Sequence, residues 1–119
     1  MVVDSDLSSD EVDRIFHALA DATRRDIVAR VLREEQSVSG LASSYAMSFA
    51  AVQKHVAVLE RARLVMKRRR GREQLVRGDP DVLRRARLLL DEYERLWRHR
   101  AAAIEDILSE DQPEDRSEK

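Results

Sequence analysis

The stretch Ser48-Phe49-Ala50-Ala51-Val52-Gln53-Lys54-His55-Val56-Ala57-Val58-Leu59-Glu60-Arg61-Ala62-Arg63-Leu64-Val65-Met66-Lys67-Arg68-Arg69-Arg70-Gly71-Arg72-Glu73-Gln74-Leu75-Val76 changes its period half-way along. Ser48 is a helix N-cap by residue type, and Val52, Val56 and Leu59 recur at the spacing of one helical face, so a helix is predicted over 48–62. From Leu64 the spacing shortens. Leu64-Val65-Met66 and Gln74-Leu75-Val76 flank the cluster Lys67 to Arg72, with Gly71 inside it, which reads as a β-hairpin over 65–76.

Upstream the chain reads as helices. Ser8-Ser9-Asp10-Glu11 fits a capping box, and Val12, Ile15, Phe16 and Leu19 follow at helical spacing. Asp21 caps a second helix whose apolar face is Ile27, Val28, Val31 and Leu32. Ser37 or Ser39 opens a short third helix through Leu41 and Ala42. Downstream, Asp79-Pro80 is a strong helix start, with Asp as the cap and Pro at the first helical position. Val82, Leu83, Ala86, Leu89, Leu90, Tyr93, Leu96, Trp97, Ala101, Ile104, Ile107 and Leu108 then form one apolar stripe.

From Pro80 to Leu108 this last helix would run ~43 Å at about 1.5 Å per residue, longer than a domain of this size is wide. Its distal half is therefore expected to pack against a second copy rather than its own core. The stripe holds no strict heptad, which disfavours a coiled coil. The expected organisation is a disordered N-terminus over 1–7, one domain over 8–108 and an acidic, disordered tail over 109–119 that contains Pro113.

The chain has 119 residues and a net charge of −1, which by itself suggests no partner. The charges are segregated, however. Residues 1–13 carry five acids and no base, and residues 105–119 carry seven acids against Arg116 and Lys119. Residues 48–77 carry nine bases against Glu60 and Glu73, a local charge of +7. A basic block inside a neutral chain points first to a polyanion. Aromatics are only 4%, so the core must be aliphatic. There is no cysteine, which removes disulfides, thiolate metal sites and Cys nucleophiles. No apolar run reaches bilayer length and no signal peptide is evident, so the expected compartment is the cytoplasm.

The expected fold class is mainly α with a short β-hairpin, in the order of a winged helix-turn-helix. In that arrangement helix 48–62 enters the major groove of double-stranded DNA with its N-terminal half towards the bases. Phe49, Ala51, Gln53, Lys54 and His55 then lie outward or to the side. Gln can pair bidentately with adenine, Lys can reach guanine acceptors or phosphate, Ala can touch a thymine methyl, and His55 can touch phosphate. Ser48 can donate to phosphate at the positive end of the helix dipole. Arg68, Arg69, Arg70 and Arg72 at the hairpin tip are expected on the phosphate backbone or in the minor groove.

Three motifs carry a resemblance to a known family. Ala18-Leu19-Ala20-Asp21-Ala22-Thr23-Arg24-Arg25 resembles the family signature LADPTRR, and Phe49 to Leu59 resembles its recognition helix. With Leu64-Val65 and the basic hairpin, these resemble ArsR-type bacterial transcription repressors over about Val12 to Leu108. The resemblance implies a homodimeric winged helix that binds a palindromic promoter site and dimerises through its first and last helices. Ile15, Phe16, Leu19, Leu89, Tyr93, Leu96, Trp97 and Ile104 are the residues expected at that interface. It also implies Gln53 and Lys54 as the best base contacts and Arg68 to Arg72 as the wing.

The departures are informative. The cysteines that family metal sensors carry near Val38 to Leu41 are replaced by other residues, and Asp91 and His99 lack the family's metal-ligand spacing, with Ala102 where a Glu would fall. No metal site carries over, no cofactor is expected, and the sequence names no effector. The chain resembles a branch of the family without known metal ligands. Ala22 stands in place of the usual Pro. Arg63 stands in place of a Gly that commonly ends the recognition helix, and the cost of a left-handed Arg leads one to expect a different closure there.

His17, His55 and His99 are too far apart for a local metal motif, though a site assembled across a dimer from His and carboxylates stays open. No phosphate loop, Ser-His-Asp order or paired-carboxylate cleft is present, so the chain is not expected to be an enzyme. Two classes remain: a sequence-specific DNA-binding repressor, and a winged helix that serves as a protein-interaction module. The basic wing favours the first.

Overall fold

Every helix before the hairpin starts where a polar side chain caps it. In the computed structural model, which describes residues 7–110, helix α1 (Ser9–Leu19) opens with a full capping box between Ser8 and Glu11. Helix α2 (Ala22–Arg33) opens on Asp21, whose carboxylate accepts from the Arg24 amide. That bond holds the carboxyl below its usual range. Strand β1 (Gln36–Ser37) leads directly into helix α3 (Val38–Ala42), capped by Ser37. Helix α4 (Phe49–Arg61) is capped by Ser48, which accepts from the Ala51 amide at 3.1 Å. The expectations for residues 1–6 and 111–119 lie outside the described residues. Leu7, expected in the disordered end, packs against the core, and helix α5 (Asp81–Glu110) runs past the expected domain limit at 108.

The hairpin is β2 (Val65–Arg70) and β3 (Glu73–Gly78), joined by Gly71-Arg72. Gly71 has φ 63°, and Arg72 stays out of the left-handed region, so this is the two-residue turn that requires glycine first. The sheet is antiparallel in the order β1-β3-β2, with Gln36 opposite Val76 and Val65 opposite Gly78. Gly78 is fixed by packing: a Cβ there would lie 2.4 Å from Leu32 Cδ2 and 3.0 Å from Leu32 Cα. Only glycine lets α2 approach the end of β3 that closely.

One aliphatic core joins all these elements. Ile15, Ala18, Ile27, Val31, Leu41, Val52, Val56, Leu59, Leu64, Val76, Val82 and Ala86 are buried together. Two residues expected at a dimer interface belong to the protomer's own interior instead. Ile15 is 1% exposed and sits in the core, and Leu89 is 4% exposed within the protomer. Leu19 is half-buried against the same core, and Phe16 remains exposed.

The carboxyl end of α4 closes as a Schellman motif despite its arginine. The Leu64 amide donates to the Leu59 carbonyl at 3.0 Å, and the Arg63 amide donates to Glu60 at 2.9 Å. Arg63 takes φ 63°, so the expectation of a different closure is corrected: the hydrogen-bond pattern outweighs the steric cost of a Cβ there.

Candidate nucleic-acid interface

The helix-turn-helix is α3, the turn 43–48 and α4. Within the turn, the Ser43 hydroxyl donates to the Gly40 carbonyl at 2.8 Å. The Tyr45 hydroxyl donates to Asp26 on α2, and the Arg30 guanidinium, which binds the same carboxylate at 2.8 Å, lies over the Tyr45 ring. Partial burial, followed by the bond to Asp26, pushes the Tyr45 phenol up to about 12. The turn is thereby tied to α2 outside the apolar core.

The two arginines of the Thr23-Arg24-Arg25 motif serve α1. Arg24 donates to the carbonyls of Ala18 and His17, and Arg25 donates to that of Leu19. All three carbonyls lie at the end of α1, where that of His17 also accepts from the Ala20 amide, and cations suit the negative end of the helix dipole. The Arg24-Arg25 pair therefore has a structural purpose that periodicity did not reveal.

Val52, Val56 and Leu59 seat α4 on the core, which turns Phe49, Gln53 and Lys54 to the outside. Gln53 and Lys54 have no side-chain partner among the described residues. Ala51 is half-buried beside them. His55 lies to the side and is half-buried. Its Nδ1 lies 3.3 Å from Arg24 Nη1 and 4.0 Å from Asp21 Oδ2, so the ring is turned to the start of α2.

The wing cations divide into two groups. Arg68 is held by both carboxylate oxygens of Glu35, and Lys67 pairs with Glu60 of α4 at 3.2 Å. The hydrogen bond from Arg68 holds the Glu35 carboxyl below its usual range. Arg68, expected at the phosphate backbone with its neighbours, makes this pair at the surface, where its side chain is 56% exposed. Arg69, Arg70 and Arg72 are exposed and make no side-chain hydrogen bond or ion pair among the described residues, although Arg70 acts on Glu35 through its charge. Glu60 was read only as a reduction in the charge of the basic block, and Glu35, beside Glu34 and outside that block, carried no signal of its own.

Beyond Leu89, α5 has no buried side chain among the described residues. Tyr93 is 51% exposed, Trp97 62% and Ile107 59%, and Leu96 and Ile104 are also exposed. These residues continue the line of Val82, Ala86 and Leu89, which the core does cover. The polar side carries ion pairs of its own, Arg95 with Glu92 and Arg98 with Glu94. No group of three or more His, Cys, Asp or Glu side chains among the described residues is placed to hold a metal ion. No described helix is long and apolar enough to cross a membrane.

No protein-family profile matches the chain. It is 41% identical over 85 residues to the HTH-type transcriptional regulator Rv2034 of Mycobacterium tuberculosis, covering 71% of this chain and 77% of that one. Among solved structures it is similar to an ArsR-like transcriptional regulator from Rhodococcus sp. RHA1, with 33% identity, a TM-score of 0.77 and coverage of 84% and 92% of the two chains. It also matches the homodimeric winged helix-turn-helix DNA-binding domain of Mycobacterium bovis Mb0332, at 27% identity and a TM-score of 0.59, covering 76% of this chain and 92% of that domain. With its α1–α5 order, its three-stranded sheet and a regulator this similar over most of its length, the chain belongs to the ArsR family of winged helix-turn-helix transcriptional regulators.

Proposed function

We propose that the protein is a dimeric repressor that binds a palindromic promoter operator. The carrying observation is the pairing of an α4 whose apolar side is fully seated with an adjacent wing whose Arg69, Arg70 and Arg72 are exposed and make no side-chain hydrogen bond or ion pair among the described residues. A polar helix face beside unpaired guanidinium groups suits a duplex: side chains reach base edges and cations meet phosphate. In this reading Gln53 and Lys54 contact bases, and Phe49 and Ala51 provide apolar contact with thymine methyl groups. Ser48, whose Oγ already caps the helix as an acceptor, still has its hydroxyl proton for a phosphate. Arg69, Arg70 and Arg72 contact the backbone or a narrow minor groove.

The dimer rests on α5. Phe16, Tyr93, Leu96, Trp97 and Ile104 are exposed in the protomer, and an apolar stripe of this length is removed from water by a second copy of itself. Two copies place two recognition helices about one two-fold axis, which matches two half-sites.

A gel shift with fragments of the gene's own upstream region tests the reading. The expected result is at least one fragment that competes better than random duplex. If none does, the repressor reading fails and the winged helix is a protein-interaction module. A salt titration should show log K falling with log salt by about 0.9 per phosphate neutralised.

A further inference from the structure

Lys67 and Arg68 are neighbours in β2, so their side chains leave opposite faces of the sheet. Lys67 lies opposite the fully buried Val76 and pairs with Glu60 on α4 at 3.2 Å. Arg68 turns the other way and places Nε and Nη2 on the two oxygens of Glu35, each at 2.9 Å. Glu35 precedes β1, and β3 lies between β1 and β2. The Arg68 side chain therefore spans the central strand. One strand of the wing is tied on one face to the recognition helix and on the other to the end of α2. The cations beyond these ties, Arg69, Arg70 and Arg72, are exposed and make no side-chain hydrogen bond or ion pair among the described residues.

We propose that Glu35 and Glu60 are positioning residues for DNA contact: through Arg68 and Lys67 they fix the wing relative to α4, so that the tip arginines and Gln53 meet one duplex together. This inference rests on the DNA-binding reading above. It makes Lys67 and Arg68 anchors, and it leaves phosphate neutralisation to Arg69, Arg70 and Arg72. Planar, two-point pairing suits such a role, because it restricts orientation as well as distance.

The sign of one measurement separates this role from simple charge. Removing a carboxylate from a surface that faces a polyanion strengthens binding by Coulomb's law. Removing a positioning carboxylate weakens it. The probe is an operator duplex enriched by the wild-type protein from a random-sequence pool. Glu35→Gln combined with Glu60→Gln should bind that duplex roughly three- to tenfold more weakly, as expected for two ordered surface pairs. The variant should remain folded at the assay temperature, its Tm lowered by no more than several degrees. The charge exchange Glu35→Arg with Arg68→Glu should restore most of the loss due to Glu35. Equal or tighter binding by the double variant overturns the inference while leaving the DNA-binding reading intact. A wild-type protein that enriches no duplex overturns both.

Discussion

Helices α4 and α5 both carry an apolar stripe, and only α4 covers its own. Val52, Val56 and Leu59 are all within 1% of complete burial, so the outward side of α4 is the polar one. On α5 the stripe is covered from Val82 to Leu89 and then emerges, leaving Trp97 more exposed than any other large apolar residue described. Length decides the difference. Thirteen residues of α4 span ~20 Å, within the breadth of the core, whereas the thirty of α5 span ~45 Å. A stripe that ends inside the fold shapes one protomer, and a stripe that outruns the fold is left uncovered by it.

The strongest way to break that comparison is to charge the emergent stripe. Trp97→Asp removes an aromatic anchor, of a kind worth about 2 kcal/mol or more at an interface, from both copies at once. The dimer should weaken by roughly a thousandfold and run as a monomer in light scattering at low micromolar concentration. A variant that stays dimeric there would place Trp97 outside the interface.

Truncation sharpens the same contrast. Leu59→Ala on α4 should cost about 2–5 kcal/mol in urea unfolding, because it opens a cavity in the protomer core. That loss should not depend on protein concentration. Ile104→Ala on α5 should show a smaller loss that changes with concentration, since its burial comes from association. Equal concentration dependence in the two variants would mean that α4 and α5 do not differ in what covers them.

The polar side of α4 has its own test. Gln53→Ala should reduce discrimination between operator and random duplex by about 2–6 kcal/mol, one bidentate base contact in each of two half-sites. Affinity for random DNA should hardly change. Arg69→Ala and Arg70→Ala should do the reverse, weakening both duplexes alike and reducing the salt slope by about 1.8 each, since each change removes one phosphate contact from both copies. Loss of discrimination in the wing variants, or of slope in Gln53→Ala, would exchange their roles.

Much of this layout could be read from residue type and spacing. The caps at Ser8, Asp21 and Ser48 stand where the structure has them, as do the buried face of α4 and the hairpin, whereas Leu32, read into the buried face of α2, is exposed. Asp79 also acts at the start of α5, its carboxylate accepting from the Asp81 amide. Strand β1 was not legible because two residues carry no alternation and owe their pairing to β3. Ile15 and Leu89 were assigned to the interface because a stripe identifies an apolar side without identifying the body that covers it. His55 and Arg68 were assigned to DNA by position and type. Their partners, Arg24 and Glu35, are 31 and 33 residues away, a distance at which only the folded chain brings charges together.

Arg63 is the place where residue type and backbone disagree most directly. Sterics disfavour a left-handed L-residue by roughly 1–2 kcal/mol, and Arg63 nonetheless holds φ 63°. Two hydrogen bonds, from Leu64 to Leu59 and from Arg63 to Glu60, require that conformation, and Leu64 must turn inwards to its buried site. Arg63→Gly removes the Cβ clash but loosens the unfolded chain, so the net gain should be about 0.5–1 kcal/mol in urea unfolding. Arg63→Ala is the control. It deletes the same guanidinium while keeping the Cβ, so it should gain nothing. Equal stabilisation by both variants would trace the effect to lost charge repulsion near Arg61 and Lys67 rather than to the backbone. The expected split, a gain for Gly alone, would show that α4 ends where its hydrogen bonds demand and that Arg63 bears the strain.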